Sequence, residues 1–128
     1  MAASSHFEAD PLTQQIIGAA IEVHRNIGPG LIESIYEKAL AYELELRGLR
    51  SRRQIYIDVL YKGIVINGQS IDLIVEDDVI VEVKSVSKIH EVVFAQILSY
   101  LKATGHKRGL IINFGEKRLV DGVRRVAN

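Results

Sequence analysis

Two carboxylates and a lysine, Asp72, Glu82 and Lys84, interrupt apolar runs in which charge is out of place. Asp72 lies within Ile71-Asp-Leu-Ile-Val75, and the other two lie within Val79-Ile-Val-Glu-Val-Lys84. Both runs have the period-two, β-branched character of strands. In the second, Val79, Val81 and Val83 point to one face, and Ile80, Glu82 and Lys84 to the other. Burying either charge alone costs on the order of several kcal/mol or drives the group towards its neutral form. A surface ion pair on a half-exposed strand would give the same pattern, so the pair gains meaning only if Asp72 joins it.

Register decides that. Directly opposed residues of an antiparallel pair point to the same side of the sheet. A two-residue loop at Asp77-Asp78 pairs Asp72 with Val83, on the wrong face; a three-residue loop, Glu76-Asp77-Asp78, sets Asp72 against Glu82. A joint site therefore requires the odd loop, or a bulge. Two bare carboxylates so opposed repel each other, and a divalent cation reverses the sign. Oxygen donors with a nearby lysine and no His or Cys suit Mg²⁺ or Mn²⁺ better than zinc.

Two helical segments add polar residues. Ile89, Val92, Val93, Gln96 and Tyr100 fall on one face of a helix expected over about 89–104, so Gln96 breaks an apolar stripe and Tyr100 stands one turn beyond it. A Gln satisfied by backbone groups and a plain core Tyr are the ordinary readings. Glu33, three before Tyr36, opens a helix expected over about 31–47, where an acid complements the helix dipole whatever else it does.

The elements that must position these residues follow from periodicity and punctuation. Asp10-Pro11 starts a first helix, with Asp10 as N-cap and Pro11 at the first helical position; Ile16, Ile17, Ala20, Ile21 and Val23 form its apolar face up to about Arg25. Asn26-Ile-Gly-Pro-Gly30 breaks it. The second helix turns Ile32, Ile35, Tyr36, Ala39, Leu40 and Leu44 inward and stops at Gly48. Strands are expected over about 54–61, 64–66, 70–75 and 79–85, with turns at Lys62-Gly63 and Asp77-Asp78 and a bulge or turn at Asn67-Gly68. After the third helix, 109–113 reads as a buried strand and 119–126 as a weaker one. The order α-α-β-β-β-α-β-β implies an α/β fold, a mixed central sheet of four to five strands flanked by helices.

Composition sets the outer limits. With 128 residues, 48% hydrophobic and 25% charged, the chain is expected to form one soluble domain over 10–128 behind a loose N-terminal tail over 1–9. The first ten residues lack the basic and apolar regions of a signal peptide, and no apolar run approaches a membrane span. The absence of cysteine excludes disulfides, thiolate metal sites and cysteine nucleophiles, and fits a cytoplasmic location. Sixteen basic residues balance sixteen acidic ones, which argues against gripping a long duplex by charge alone. Two local basic groups remain: Arg47, Arg50, Arg52, Arg53 and Lys62, then Lys107, Arg108, Lys117, Arg118, Arg124 and Arg125. His6, His24, His90 and His106 show no ligand spacing, and the Gly28-Pro-Gly30 turn lacks the Lys-Ser/Thr of a nucleotide-binding loop.

Taken together, these places resemble the PD-(D/E)XK nuclease superfamily, with its restriction-endonuclease-like core. Asp72 followed by Glu82-Val83-Lys84 resembles its D…E-x-K signature, and Gln96-Ile-Leu-Ser-Tyr100 the Q-x-x-x-Y motif of its exonuclease-like branch. Gly30-Leu-Ile-Glu33-Ser-Ile-Tyr36 is similar to the name-giving motif of the bacterial GxxExxY proteins, as are 17–24, 28–30 and 110–114; the similarity runs over about 12–128. D…E-x-K alone is common, but its conjunction with E-x-x-Y before it and Q-x-x-x-Y after it is specific. One departure is Ser70, where members often carry an Arg two before the aspartate, which implies a weaker hold on phosphate.

The resemblance implies hydrolysis of phosphodiester bonds in nucleic acid, DNA foremost. Mg²⁺, with Mn²⁺ as substitute, would be held by Asp72, Glu82 and the carbonyl of Val83, and Glu33 would hold a second metal or a metal-bound water. Lys84 would orient or deprotonate the attacking water. Gln96, Tyr100 and Tyr36 would position the metal shell or the strand. The alternative is a catalytically inactive nucleic-acid-binding or protein-interaction module that keeps the fold. A homodimer or a partner protein is the expected way for so small a core to hold its substrate.

Overall fold

Asp10 caps the first helix as the Asp-Pro start predicts. Its carboxylate accepts from the Thr13 N–H at 2.9 Å while the Thr13 hydroxyl accepts from the Asp10 N–H at 3.3 Å, a reciprocal capping box. The computed structural model describes residues 10–128; the tail expected over 1–9 lies outside them. The elements are α1 (Pro11–Ile27), α2 (Glu33–Leu46), β1 (Ser51–Tyr61), β2 (Ile64–Val75), β3 (Val79–Lys84), α3 (Glu91–Thr104), β4 (Arg108–Asn113), a 3₁₀ turn at Leu119–Gly122 and β5 (Val123–Ala127).

The five strands lie in the order β1-β2-β3-β4-β5. Only β3 and β4 are parallel, joined through α3; the other neighbours are antiparallel. Alternation along the strands splits the core in two. Val79, Val81 and Val83 pack with Leu73, Val75, Leu110 and Ile112 against α1 and α2. Ile80, Ile74 and Ile111 pack on the opposite face against Val93, Ile97, Tyr100 and Leu101 of α3. Among the described residues, no helix is long and apolar enough to cross a membrane.

Four boundaries differ from the periodic reading. The inward stripe of α2 is Tyr36, Leu40 and Leu44, one apolar residue every fourth position, with Glu37 buried beside it. Ile32 precedes the helix and Ile35 falls on its outer flank, so both are exposed rather than inward. β1 begins at Ser51, three residues early, because its pairing with β2 continues past Gln54. β2 is one continuous strand: its pairing moves from Ile57↔Gln69 to Val59↔Ile66, so Asn67 and Gly68 together oppose Asp58 as a bulge. The last expected strand divides, and Leu119–Gly122 closes a 3₁₀ turn before β5.

Two local devices fix opposite ends of the sheet. Lys62 and Gly63 both have positive φ, 49° and 86°, the two-residue turn whose twist matches a hairpin. At the other end, the fully buried Asn113 ties the exit of β3 in place. Its Oδ1 accepts from the Val86 and Gly115 N–H groups, both at 3.0 Å, and its Nδ2 donates to the Val86 carbonyl at 2.9 Å. The Gly115 backbone comes so close that a Cβ there would lie 2.2 Å from the Val86 oxygen, so no other residue fits.

Candidate active site

The loop between β2 and β3 is the odd one. Leu73↔Val81, Ile74↔Ile80 and Val75↔Val79 pair across Glu76-Asp77-Asp78, where Glu76 and Asp77 take positive φ of 54° and 52°. Continued by one residue, that register sets Asp72 against Glu82, and the two carboxyl groups are hydrogen-bonded. Asp72 Oδ2 also accepts from the Val83 N–H at 2.8 Å. Lys84 follows two residues on, half-buried, on the same face as Glu82.

Burial sets the electrostatics of this pair. Glu82 is only 3% exposed. Its pKa is pushed up to about 10, first by burial, then by the hydrogen bond and negative charge of Asp72; Lys84 opposes the shift, and Glu37 adds slightly to it. With nothing else bound, Glu82 therefore keeps its proton at neutral pH and donates it to Asp72. A divalent cation would take the place of that proton, and hard carboxylate oxygens with an adjacent main-chain carbonyl suit Mg²⁺. The donor set fits such an ion, although no three His, Asp or Glu side chains converge on one point among the described residues.

A distortion in the sheet marks the same spot. Gln54, opposite Asp72, has φ of 53° and drops out of the ladder between Arg53↔Leu73 and Ile55↔Ile71. Such a left-handed backbone is costly for a residue with a Cβ. It lets Arg53 reach towards α2 while Ile55, two residues on, packs on the α3 side. The Gln54 amide is fully used: Nε2 donates to both Glu37 oxygens at 2.9 and 3.0 Å and approaches Asp72 Oδ1 at 3.5 Å, and Oε1 accepts from Ser70 Oγ at 2.8 Å. Ser70, the departure from the family pattern, is thus a partner of Gln54.

The remaining expected residues separate into two groups. Tyr100 on α3 joins the acids: its hydroxyl accepts from Gln69 Nε2, and its pKa is raised by burial against the lowering effect of that bond, with Glu82 and Asp72 adding to the rise. Gln96 stands half-buried one turn earlier on the same helix. Glu33 lies apart, its Oε2 accepting from the Ser85 N–H at 3.4 Å just beyond β3. There it lines an open cleft of about 780 Å³ with Gly30, Leu31, Ile32, Ser85 and Val86. Tyr36 is fully buried and stacks on Phe114 at 4.5 Å; its hydroxyl donates to the Gly28 carbonyl and accepts from the Leu31 N–H at 3.1 Å. It can hold the 28–31 loop in place but cannot touch a nucleic acid strand.

Sequence reasoning missed Glu37, Gln54 and Gln69. Glu37 was within reach: it follows Glu33 by four on one helix face. It is 5% exposed and forms a 3.0 Å ion pair with Arg53. Gln54 and Gln69 carry no signal in the chain, because only strand pairing brings them to the acids. Four of the five residues in the first basic group are neutralised locally, with Arg47, Arg50, Arg52 and Arg53 paired to Glu43, Glu76, Asp77 and Glu37, while Lys62 lies over the Tyr61 ring. His24 Nε2 lies 2.9 Å from the Glu116 carbonyl.

Among families of known proteins, the family model described as the PD-(D/E)XK nuclease superfamily matches residues 10–126. No curated protein and no solved structure matches the chain. Three helices about a five-stranded mixed sheet agree with the restriction-endonuclease-like fold of that superfamily.

Proposed function

We propose that this chain, which belongs to the PD-(D/E)XK nuclease superfamily, is a Mg²⁺-dependent nuclease that hydrolyses phosphodiester bonds of DNA. The reading rests above all on one observation: a three-residue loop brings Asp72 and Glu82 face to face, with Lys84 beside them on the same side of the sheet. Asp72, Glu82 and the Val83 carbonyl would hold the ion, and Glu33 a second one or its water. Bound there, the cation supplies charge for the scissile phosphate and a more acidic water.

The protein's own groups do the rest. Asp72 is held towards β3 by the Val83 N–H and on its other side by Gln54, so its carboxylate is oriented before any ligand arrives. Lys84 orients or deprotonates the attacking water and stabilises the negative charge that develops on phosphate. Tyr100, fixed by Gln69, and Gln96 line the α3 side, where they position the strand. Within the superfamily, Gly30 to Tyr36 favours the GxxExxY branch, and the lack of cysteine favours a cytoplasmic setting.

The test is incubation with single-stranded, duplex and branched DNA and with RNA, in Mn²⁺, Mg²⁺ or EDTA. Cleavage is expected with metal, absent in EDTA, and about 10²–10⁴-fold weaker in Lys84→Ala, the usual span for losing a proton-transfer group. A second reading, a binder that does not cleave, is favoured by Ser70 being engaged with Gln54 rather than free for phosphate. Binding without cleavage, equal in Lys84→Ala, would select it.

A further inference from the structure

Past Ile57 and Gln69 the β1–β2 hairpin runs out of the core as a two-stranded ribbon. Alternation puts Ile55, Ile57, Val59 and Tyr61 of β1 on one face. The pairs Tyr61↔Ile64 and Val59↔Ile66 add two residues of β2 to that face. Ile55 and Ile57 pack into the cluster beneath α3. Val59, Tyr61, Ile64 and Ile66 continue the same stripe at 49–60% exposure. Helix α3 packs on β3, β4 and β5 and so leaves the ribbon uncovered.

The size and charge of this stripe identify its occupant. Four large side chains about half exposed present roughly 400 Å² of apolar surface, at roughly 150–250 Å² per large side chain. A standard protein interface takes about 800 Å² from each partner, of which about 60% is apolar. The stripe is therefore close to the apolar centre of one half of such an interface. From Ile55 to Gln69 the charged residues are Asp58 and Lys62 alone, one of each sign. That offers a nucleic acid backbone no net attraction, while a two-fold copy meets a surface identical to its own.

We propose that this face binds a second copy of the chain, two ribbons packing stripe to stripe about a two-fold axis. β2 then runs without interruption from Ile64 and Ile66 at the interface, through Gln69, to Asp72, so pairing of the ribbons fixes the spacing of two catalytic pairs.

Sedimentation of the full chain over the micromolar range tests this directly. The expected result is a single dimeric species that I64E/I66E converts to monomer with an unchanged circular-dichroism spectrum, while L60E, on the opposite face, stays dimeric. Because the chain has no cysteine, V59C should cross-link to a covalent dimer under oxidation and V65C, facing away, should not. A monomeric wild type, or a dimer that survives I64E/I66E, overturns the proposal. If the wild type is monomeric and I64E/I66E only weakens DNA binding, the stripe serves nucleic acid instead. If V65C cross-links in place of V59C, the other face is the interface. None of these results depends on whether the acids cut DNA.

Discussion

The two ends of β2 carry similar β-branched runs and meet opposite fates. Ile71, Leu73, Ile74 and Val75 are buried, whereas Ile64, Val65 and Ile66 are exposed. The difference is coverage. The inner end has α1 and α2 on one side and α3 on the other, and the outer end has neither. Asp72 stands where coverage ends, and its partner Glu82 one strand further in is dry enough to keep its proton. The proposed cation would sit on this border between wet and dry, where substrate would enter from one side while the other would keep the carboxylates from water.

Alanine at the two ends should break or keep that contrast most sharply. Leu73→Ala leaves a cavity in a packed core and should cost about 2–5 kcal/mol, whereas Ile64→Ala should stay within about 0.5 kcal/mol in the monomer. Equal losses in denaturant unfolding would mean that the ribbon is covered after all.

Stability against pH sharpens the electrostatic half of the contrast. An unfolded glutamate titrates near 4.5 and Glu82 in the fold near 10, so between these values the folded chain holds one more proton. Its contribution is complete below the lower value and is lost progressively as pH rises towards the upper one, by at most about 1.4 kcal/mol per pH unit. Glu82→Gln should flatten this slope in metal-free buffer, and added Mg²⁺ should reduce it in the wild type. An unchanged slope in Glu82→Gln would show that the pair does not hold its proton.

The smallest effect concerns the α3 side. Tyr100→Phe removes the acceptor of the Gln69 amide and should cost about 1 kcal/mol of stability. Its effect on cleavage should exceed that of an equally destabilising core change such as Ile97→Val. Equal effects would make Tyr100 a packing residue only.

Much of this was legible in the chain. The helix start at Asp10-Pro11 and the hairpin turn at Lys62-Gly63 are found as expected, and Ile80 packs on the face opposite Val79, Val81 and Val83. Ile32 and Ile35 misled, because apolar residues at a helix start count equally in a periodic stripe whether or not anything covers them. Glu37 escaped because an acid on an apolar face looks like solvated charge until its partners, Arg53 and Gln54, arrive from β1.

The chain alone determined most of what is helical and what is extended, and that Ile80 and Glu82 share one side of their strand, because those are relations between neighbours a few bonds apart. Both a two- and a three-residue loop were open at Asp77-Asp78, and they differ only in whether Glu76 leaves the strand with a left-handed backbone. Tertiary structure chose the second. Opposition of Asp72 to Glu82, the twist at Gln54 and the uncovered ribbon all depend on which layers meet across the sheet, and no periodicity encodes that.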